Sequence, residues 1–163
     1  MPAPDHGPLG GTPVIGWREW VALPLLGLPA LRAKTDTGAT TSALQATDLE
    51  PFAHGGAPHV RFRVHPFLRR LSFEVVCEAP VVDERRVTSS SGHDEKRVVI
   101  GTALRLGIRV GAPEWPIEIT LTDRREMRYP MLLGREAMTG RLLVDPGAEF
   151  LLGRPGAPRE LYK

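Results

Sequence analysis

Apolar and polar residues alternate with a period of two in several short segments of the chain. The clearest is residues 60–64, in which every second side chain is apolar, and similar alternation runs through 74–78, 98–102 and 117–122. This period places one face of a strand in a core and the other in solvent. The pattern therefore predicts a mostly β domain.

Helix is expected to be the minor component. Helix formers follow a glycine-bearing loop at 41–45 and again at 135–139, so two short helices are predicted there. Glycine and proline are frequent, at 17 and 16 of 163 residues, which favours short strands divided by turns. Turns are expected at Pro80, Gly107, Gly111 and Pro116.

Residues 1–13 and 153–163 differ in composition from the middle of the chain. Both are dense in glycine and proline, which is typical of flexible or extended tails. Between them, residues 14–152 are expected to form one domain, because a chain of this length ordinarily has one core and 42% apolar residues are enough to build it. No internal repeat of convincing length divides that domain.

The charged residues are mixed along the chain. There are 21 Lys and Arg against 19 Asp and Glu, a net charge of +2, and acids lie beside bases at 83–86 and 94–97. A nucleic-acid-binding protein ordinarily concentrates its bases in a patch or stripe. We therefore expect no nucleic-acid partner.

The longest apolar stretch, residues 20–31, does not resemble a membrane span. It is shorter than the roughly 18–20 residues that a span needs, and it contains two prolines. The acids Asp5 and Glu19 precede it, so the layout of a signal peptide is absent as well. These features predict a cytoplasmic protein with no membrane partner.

The histidine and cysteine content gives little support to a metal site. Cys77 is the lone cysteine and is most simply a core residue, and the five histidines include no His-Glu-x-x-His pair. The cluster His93, Asp94 and Glu95 could ligate a metal, although such a charged run is more typical of a solvated loop tip. No phosphate-binding Gly-x-x-x-x-Gly-Lys-Ser/Thr motif is present. We expect neither a metal nor another cofactor.

One short segment carries residues suited to catalysis. Asp36 is followed at once by Thr37, Gly38 and Ala39. Gly38 leaves the backbone bare for a partner or substrate, Thr37 can lock the loop by hydrogen bonding, and Ala39 leaves room beside the carboxylate. The same three residues, Asp-Thr-Gly, also occur as an ordinary turn after a strand.

The rest of the chain favours the catalytic interpretation. About a hundred residues after Asp36, residues 129–136 supply two aliphatic side chains, a glycine and Arg135. This pair of segments resembles the retropepsin-like aspartic peptidases, in which the second segment passes beside the catalytic loop and packs under it. A closer resemblance is to the retropepsin-like group known as RimK-associated or "ATP-dependent zinc" proteases. The matching stretches are 34–44, 87–93, 102–107 and 129–138.

The resemblance implies a retropepsin-like closed β-barrel with one or two short helices, and a catalytic site of Asp36, Thr37 and Gly38. Aspartic peptidases activate water between two carboxylates that share one proton. The chain has one Asp-Thr-Gly, and Asp145 is followed by a proline and a glycine in a typical turn sequence. The second carboxylate is therefore expected from another subunit, which makes the working species a homodimer.

The resemblance also implies a flap over the cleft, for which residues 87–102 are expected, with an ordinary hairpin loop as the alternative. In retroviral members an aspartate pairs with the arginine that follows the second glycine, whereas here Thr40 takes its place. Arg135 is then left to pair with Glu136, Asp145, the other subunit or an acidic substrate. The expected substrate-binding residues are Ala39, Thr40, Ser90, Ser91, Gly92 and Arg135.

The leading hypothesis is a homodimeric aspartic endopeptidase that hydrolyses a peptide or protein. The family's association with a RimK-type glutamate ligase implies a glutamate-bearing substrate or a functional link to that ligase. Arginines near the cleft could bind its carboxylates, although surface charges would look the same, namely Arg124, Arg125, Arg128 and Arg135. The alternatives are a non-catalytic retropepsin-fold module that binds a peptide or partner, and a metal-dependent protease.

Overall fold

The structure is a computed structural model that describes residues 11–88, 92, 94–123 and 128–163. In these ranges the strands are β1 (Val14–Ile15), β2 (Arg18–Leu23), β3 (Leu28–Thr35), β4 (Ser42–Gln45), β5 (Thr47–His54), β6 (Ala57–Val64), β7 (Val75–Thr88), β8 (Asp94–Arg105), β9 (Glu114–Thr122), β10 (Met131–Leu133) and β11 (Leu143–Val144). The helices are α1 (Arg135–Met138) and two 3-10 helices, Pro24–Leu26 and Pro158–Tyr162.

Nine of these strands form one sheet that bends round to meet itself. Their order is β2-β3-β10-β4-β9-β8-β7-β6-β5, and a further pairing of β2 with β8, at Ala22 and Arg105, closes the first six strands into a ring. The parallel pair of β1 and β11 lies outside this sheet. The prediction of a mostly β chain is confirmed.

The alternating segments predict the strand faces correctly, as β6 shows. Val60, Phe62 and Val64 are at most 2% exposed, whereas Arg61 and Arg63 lie on the other face and form ion pairs with acids of β7 and the loop before it. Burying an aliphatic or phenyl side chain of this size contributes about 1.5–3 kcal/mol. The core therefore fills the side of the sheet that the apolar positions mark.

One of the two predicted helices is wrong and the other is confirmed. Residues 41–45 were expected to be helical, but Ser42–Gln45 is strand β4, parallel to β9 on one side and antiparallel to β10 on the other. A helix of about four residues is marginal by itself, whereas a central strand gains ladder hydrogen bonds on both edges. The second helix forms as α1, at Arg135–Met138.

The predicted turns also divide into two groups. Gly107 and Gly111 lie in turns with φ of 102° and 89°, as expected of glycine. Pro80 and Pro116 instead lie inside β7 and β9, so those two predictions are wrong. Pro80 lies where β7 changes its pairing partner from β6 to β8, and Pro116 lies before Ile119, where the pairing of β9 with β4 begins. Each proline therefore has a paired neighbour strand on one edge only, and its missing N–H does not interrupt hydrogen bonding on both edges.

The C-terminal segment docks on the sheet. In the 3-10 helix Pro158–Tyr162, the Tyr162 hydroxyl donates a hydrogen bond to the Ala30 carbonyl of β3, and its ring packs edge-on against Phe67 and Phe73. Residues 1–10 of the expected N-terminal tail lie outside the described ranges. The domain limits of 14 and 152 remain a prediction.

In the part of the chain that the structure describes, no helix has both the length and the apolar content needed to cross a bilayer.

Candidate active site

The loop that carries Asp36 begins directly at the end of β3. The Asp36 N–H donates to the Leu133 carbonyl over 2.9 Å, which fastens the end of β3 to the end of β10. The carboxylate oxygen Oδ1 accepts from the Gly38 N–H at 3.2 Å, and the Ala39 N–H donates to the Asp36 carbonyl at 3.2 Å. The carboxylate is therefore held in a tight turn while remaining partly exposed.

Arg135 clamps this loop from the opposite side. Its guanidinium donates from Nη1 to the Thr37 carbonyl and from Nη2 to the Thr40 hydroxyl, both at 3.1 Å, and its backbone N–H donates to the Ala39 carbonyl at 2.7 Å. The sequence predicted a partner in Glu136, Asp145, a second subunit or the substrate. The structure gives Arg135 the Asp36 loop as its partner, which a residue pattern does not reveal because the contact spans 98 positions.

Gly134 passes so close under the loop that no side chain fits there. A Cβ at this position would lie 2.5 Å from the Thr41 carbonyl carbon and 2.7 Å from the Ser42 nitrogen. The Gly134 N–H donates to the Ser42 hydroxyl at 2.9 Å. The close packing of the two segments agrees with the expectation from the resemblance, and Ser42, which the sequence analysis did not single out, joins them.

A buried carboxylate supports the strand that leads into the loop. Glu19 is 1% exposed and accepts three backbone hydrogen bonds, from Gly16 at 2.7 Å, Leu151 at 2.9 Å and Leu152 at 3.0 Å. The Gly16 carbonyl in turn accepts a hydrogen bond from the hydroxyl of Thr35, the residue before Asp36, at 2.8 Å. The sequence signal for this role is an acid that directly precedes the apolar residues Trp20–Leu23 of the same strand.

The expected flap consists of paired strands up to its tip. β7 and β8 are antiparallel from Val81 opposite Ile100 to Thr88 opposite Asp94. Gly92 is exposed with φ of 84°, whereas the predicted substrate-binding residues Ser90 and Ser91 lie outside the described residues, and so do His93, Arg124 and Arg125.

Arg85 connects this hairpin to the segment after the Asp36 loop. Its Nη1 donates to the Thr41 hydroxyl at 3.3 Å, and the same guanidinium pairs with Glu118 at 2.6 Å and Asp83 at 2.9 Å. The hydrogen bond from Arg85 holds the pKa of Asp83 below its ordinary value. The Arg85 side chain therefore joins the hairpin to Thr41.

Other acids near the sequence-predicted sites have local roles. Asp145 Oδ1 accepts from the Gly147 N–H at 3.0 Å, the geometry of a turn residue. Asp94 accepts from the Thr88 hydroxyl at 2.7 Å, and Glu95 pairs with Arg97 at 3.1 Å. Within the described ranges, no three side chains of His, Cys, Asp and Glu are grouped so that they could hold a metal ion.

Comparison with known proteins agrees with this geometry. Residues 14–155 match the family described as RimB-like, retropepsin-like aspartic endopeptidase RimB. This match confirms the retropepsin-like fold class that the sequence predicted. The zinc and ATP in the other name of the group find no support in that description.

Several relatives are proteins named probable alpha-L-glutamate ligase. The chain is 46% identical over 143 residues to one from Shewanella pealeana and 47% identical over 140 residues to one from Parasynechococcus marenigrum, covering 88% and 86% of this chain. These alignments cover 30% and 29% of the two relatives, so the chain spans less than a third of the length of the curated relatives it matches.

A solved structure shows the same fold. It is a protein of unknown function from Legionella pneumophila, 28% identical to this chain, with a TM-score of 0.71. The match covers 85% of this chain and 97% of the Legionella protein.

Proposed function

Because the chain belongs to the RimB-like family of retropepsin-like aspartic endopeptidases, we propose that it hydrolyses peptide bonds with Asp36 as the water-activating acid. The supporting observation is the exposure and the fixed position of that carboxylate. It is partly exposed, it is held by a loop that Arg135 and Gly134 fasten, and among the described residues it forms no ion pair. A rigid acid with an open face is suited to bind a reacting water.

The working species of this proposal is a homodimer. An aspartic peptidase needs two carboxylates, and this chain contributes one Asp-Thr-Gly. Asp36 is partly exposed and Thr37 and Gly38 are exposed in the single chain, so the loop is open to a second copy. A two-fold axis beside Asp36 supplies the missing acid.

In the proposed cycle the two Asp36 carboxyls share one proton. The neutral one donates a hydrogen bond to the scissile carbonyl, and the ionised one removes a proton from water, which attacks the carbonyl carbon. The tetrahedral diol then collapses as the leaving nitrogen is protonated, with no covalent intermediate. Ala39 offers no hydroxyl to stabilise the ionised form, so activity should extend towards neutral pH.

We propose a glutamate-bearing peptide or protein as the substrate. Relatives that contain a segment similar to this chain are named probable alpha-L-glutamate ligase, a name that states glutamate as the group ligated. A peptidase associated with such an activity is well placed to remove or trim the added residues. The same association proposes a RimK-type ligase as a functional partner.

A second candidate function is a non-catalytic module that binds a peptide for a ligase. The names of the relatives favour it, because they state a ligase and no protease. The intact Asp-Thr-Gly loop counts against it, since binding alone does not require a carboxylate held with an open face.

The test compares the wild type with Asp36→Asn on a mixture of acidic and neutral peptides at pH 4–8, with and without chelator. Cleavage should disappear in Asp36→Asn and be indifferent to chelator, because the amide keeps the shape but cannot cycle a proton. The matched control is Asp48→Asn, at an exposed acid of β5 with a positive φ that asparagine tolerates. Loss with chelator indicates a metal-dependent protease, and no cleavage by either protein indicates the binding module.

The dimer is tested by mixing. With a nine-fold excess of Asp36→Asn and random subunit exchange, wild-type homodimers fall to about a tenth of their unmixed amount, and activity should fall with them. Activity that stays proportional to the wild-type chain contradicts the shared site.

A further inference from the structure

A cavity of about 1250 Å³ opens beside the catalytic half of the sheet, and its lining is strongly basic. β2, β3, the loop at 66–73, residues 128–130 and the C-terminal 3-10 helix form its walls. Of the described residues that line it, seven are Lys or Arg and one, Glu160, is an acid. The whole chain carries a net charge of only +2, so the fold concentrates positive charge in this cavity, which we call the basic bowl.

Five of these arginines form no ion pair with an acid that the structure describes. In the described part of the chain, ion pairs occupy Arg18 and Lys163, with Glu149 and Glu160, at 2.9 and 3.1 Å. The structure gives no ion pair within the same ranges to the remaining bowl residues, Arg32, Arg69, Arg70, Arg128 and Arg159. Uncompensated guanidinium groups at one concave surface favour an anionic ligand.

Two of these arginines are oriented by aromatic rings. The Arg32 guanidinium lies 5.3 Å from the centroid of the Tyr129 ring, and that of Arg159 lies 5.4 Å from the centroid of Phe73. Stacking of this kind holds the guanidinium plane through its face and leaves the N–H groups at its edge for a carboxylate. The bowl therefore presents donors that are partly ordered before a ligand arrives.

The aromatic floor of the bowl is itself fixed. The rings of Phe67, Phe73 and Tyr162 form a cluster with centroids 5.3 to 5.6 Å apart, all in edge-on contact. The hydrogen bond of the Tyr162 hydroxyl to the Ala30 carbonyl ties this cluster to β3. The bowl is thus part of the packed fold.

The bowl is also within reach of the catalytic loop. Arg32 lies four residues before Asp36 along β3, which at about 3.3 Å per residue is roughly 13 Å. An extended peptide covers that distance with about four residues. A peptide of that length therefore matches the separation between Arg32 and Asp36.

We propose that the basic bowl is an anchoring site for an acidic peptide, a run of neighbouring carboxylates such as an oligo-glutamate segment. The proposal deepens the proposed function, because the anchored chain is the substrate that Asp36 cleaves. An acidic peptide fits better than a nucleic acid, since outside the bowl acids are mixed with the bases and would repel a long phosphate backbone.

The experiment measures binding without cleavage. A fluorescein-labelled octaglutamate is titrated into the full-length Asp36→Asn protein, and the variant tested is Arg69→Ser/Arg70→Ser, at two exposed loop positions whose loss leaves the core intact. Its Kd should rise about tenfold or more, and added salt should weaken binding by the unaltered bowl. The control Arg109→Ser/Arg141→Ser removes the same charge outside the bowl and should leave Kd within about twofold.

The alternatives are outcomes of the same titration. Equal losses in both double variants, or no binding of octaglutamate, overturn the proposal. Tighter binding of an eight-nucleotide single-stranded RNA than of octaglutamate overturns it in favour of a nucleic acid. Since the binding assay uses a protein that cannot cleave, failure of the peptidase proposal leaves its result unchanged. If Arg69→Ser/Arg70→Ser is placed in the chain that keeps Asp36 and this variant cleaves acidic peptides at the wild-type rate, the bowl proposal is refuted while the peptidase proposal stands.

Discussion

Replacing Glu19 with alanine should destabilise the protein far more than replacing any exposed acid. The substitution leaves three backbone N–H groups without their acceptor, those of Gly16, Leu151 and Leu152. A hydrogen bond to a charged group contributes about 1.5–3 kcal/mol, and the two N–H groups at 151 and 152 are only partly buried, so water recovers part of the loss. We expect the free energy of unfolding to fall by about 3–5 kcal/mol.

Urea unfolding followed by the fluorescence of the three tryptophans measures this change. A domain of this size should lose about 2–4 °C of Tm per kcal/mol, so Tm should fall by roughly 6–20 °C. The control is Glu149→Gln, which removes an ion pair with Arg18 whose acid is 43% exposed and should cost less than about 1 kcal/mol. A loss below about 1 kcal/mol for Glu19→Ala would refute the interpretation that Glu19 holds Gly16 and residues 151–152 together by hydrogen bonds.

Three further predictions concern the loop and the core. Gly134→Ala should abolish peptide cleavage and lower the unfolding free energy by more than about 2 kcal/mol, because its Cβ meets backbone at 2.5 Å, whereas Gly156→Ala, which has open space, should change neither. Arg135→Lys should lower kcat about tenfold or more with little change in Tm, because an ammonium cannot donate to the Thr37 carbonyl and the Thr40 hydroxyl in the planar geometry of the guanidinium. An unchanged kcat would contradict the role of Arg135 in fixing the loop. Burial raises the pKa of Cys77 to about 12, so the folded thiol keeps its proton at a pH at which the unfolded thiol has lost it. The free energy of unfolding, compared with that of Cys77→Ala, should therefore fall as pH rises from about 9 towards 12, by at most about 1.4 kcal/mol per pH unit. Urea unfolding at several pH values checks the slope, and parallel stability curves would refute it.

The sequence predicted correctly those strands and turns whose conformation depends on neighbouring residues. The alternation in β6 is a property of neighbouring residues, and so is the glycine turn at Gly107. The four residues of β4 gave the wrong secondary structure because β9 and β10, which pair with them, decide their conformation. For so short a segment, tertiary hydrogen bonding outweighs helix propensity.

Contacts across long stretches of sequence were beyond the reach of that analysis. Glu19 was noted only as an acid near an apolar run, since its acceptor role depends on N–H groups 132 and 133 positions away. The basic bowl was missed for the same reason. Arg32, Arg70 and Arg159 each stand among mixed charges in the sequence, and only the folded sheet brings them to one cavity.

The threading of Gly134 beneath Thr41 and Ser42 has a consequence for synthesis of the chain. The groups that fix the Asp36 loop come from residues 92 to 98 positions further along, so a nascent chain that has reached β8 or β9 still lacks them. Loop closure over such a separation is slow compared with local folding. The loop that carries Asp36 is therefore expected to reach its final geometry only after β10 and α1 have been synthesised and have paired with it.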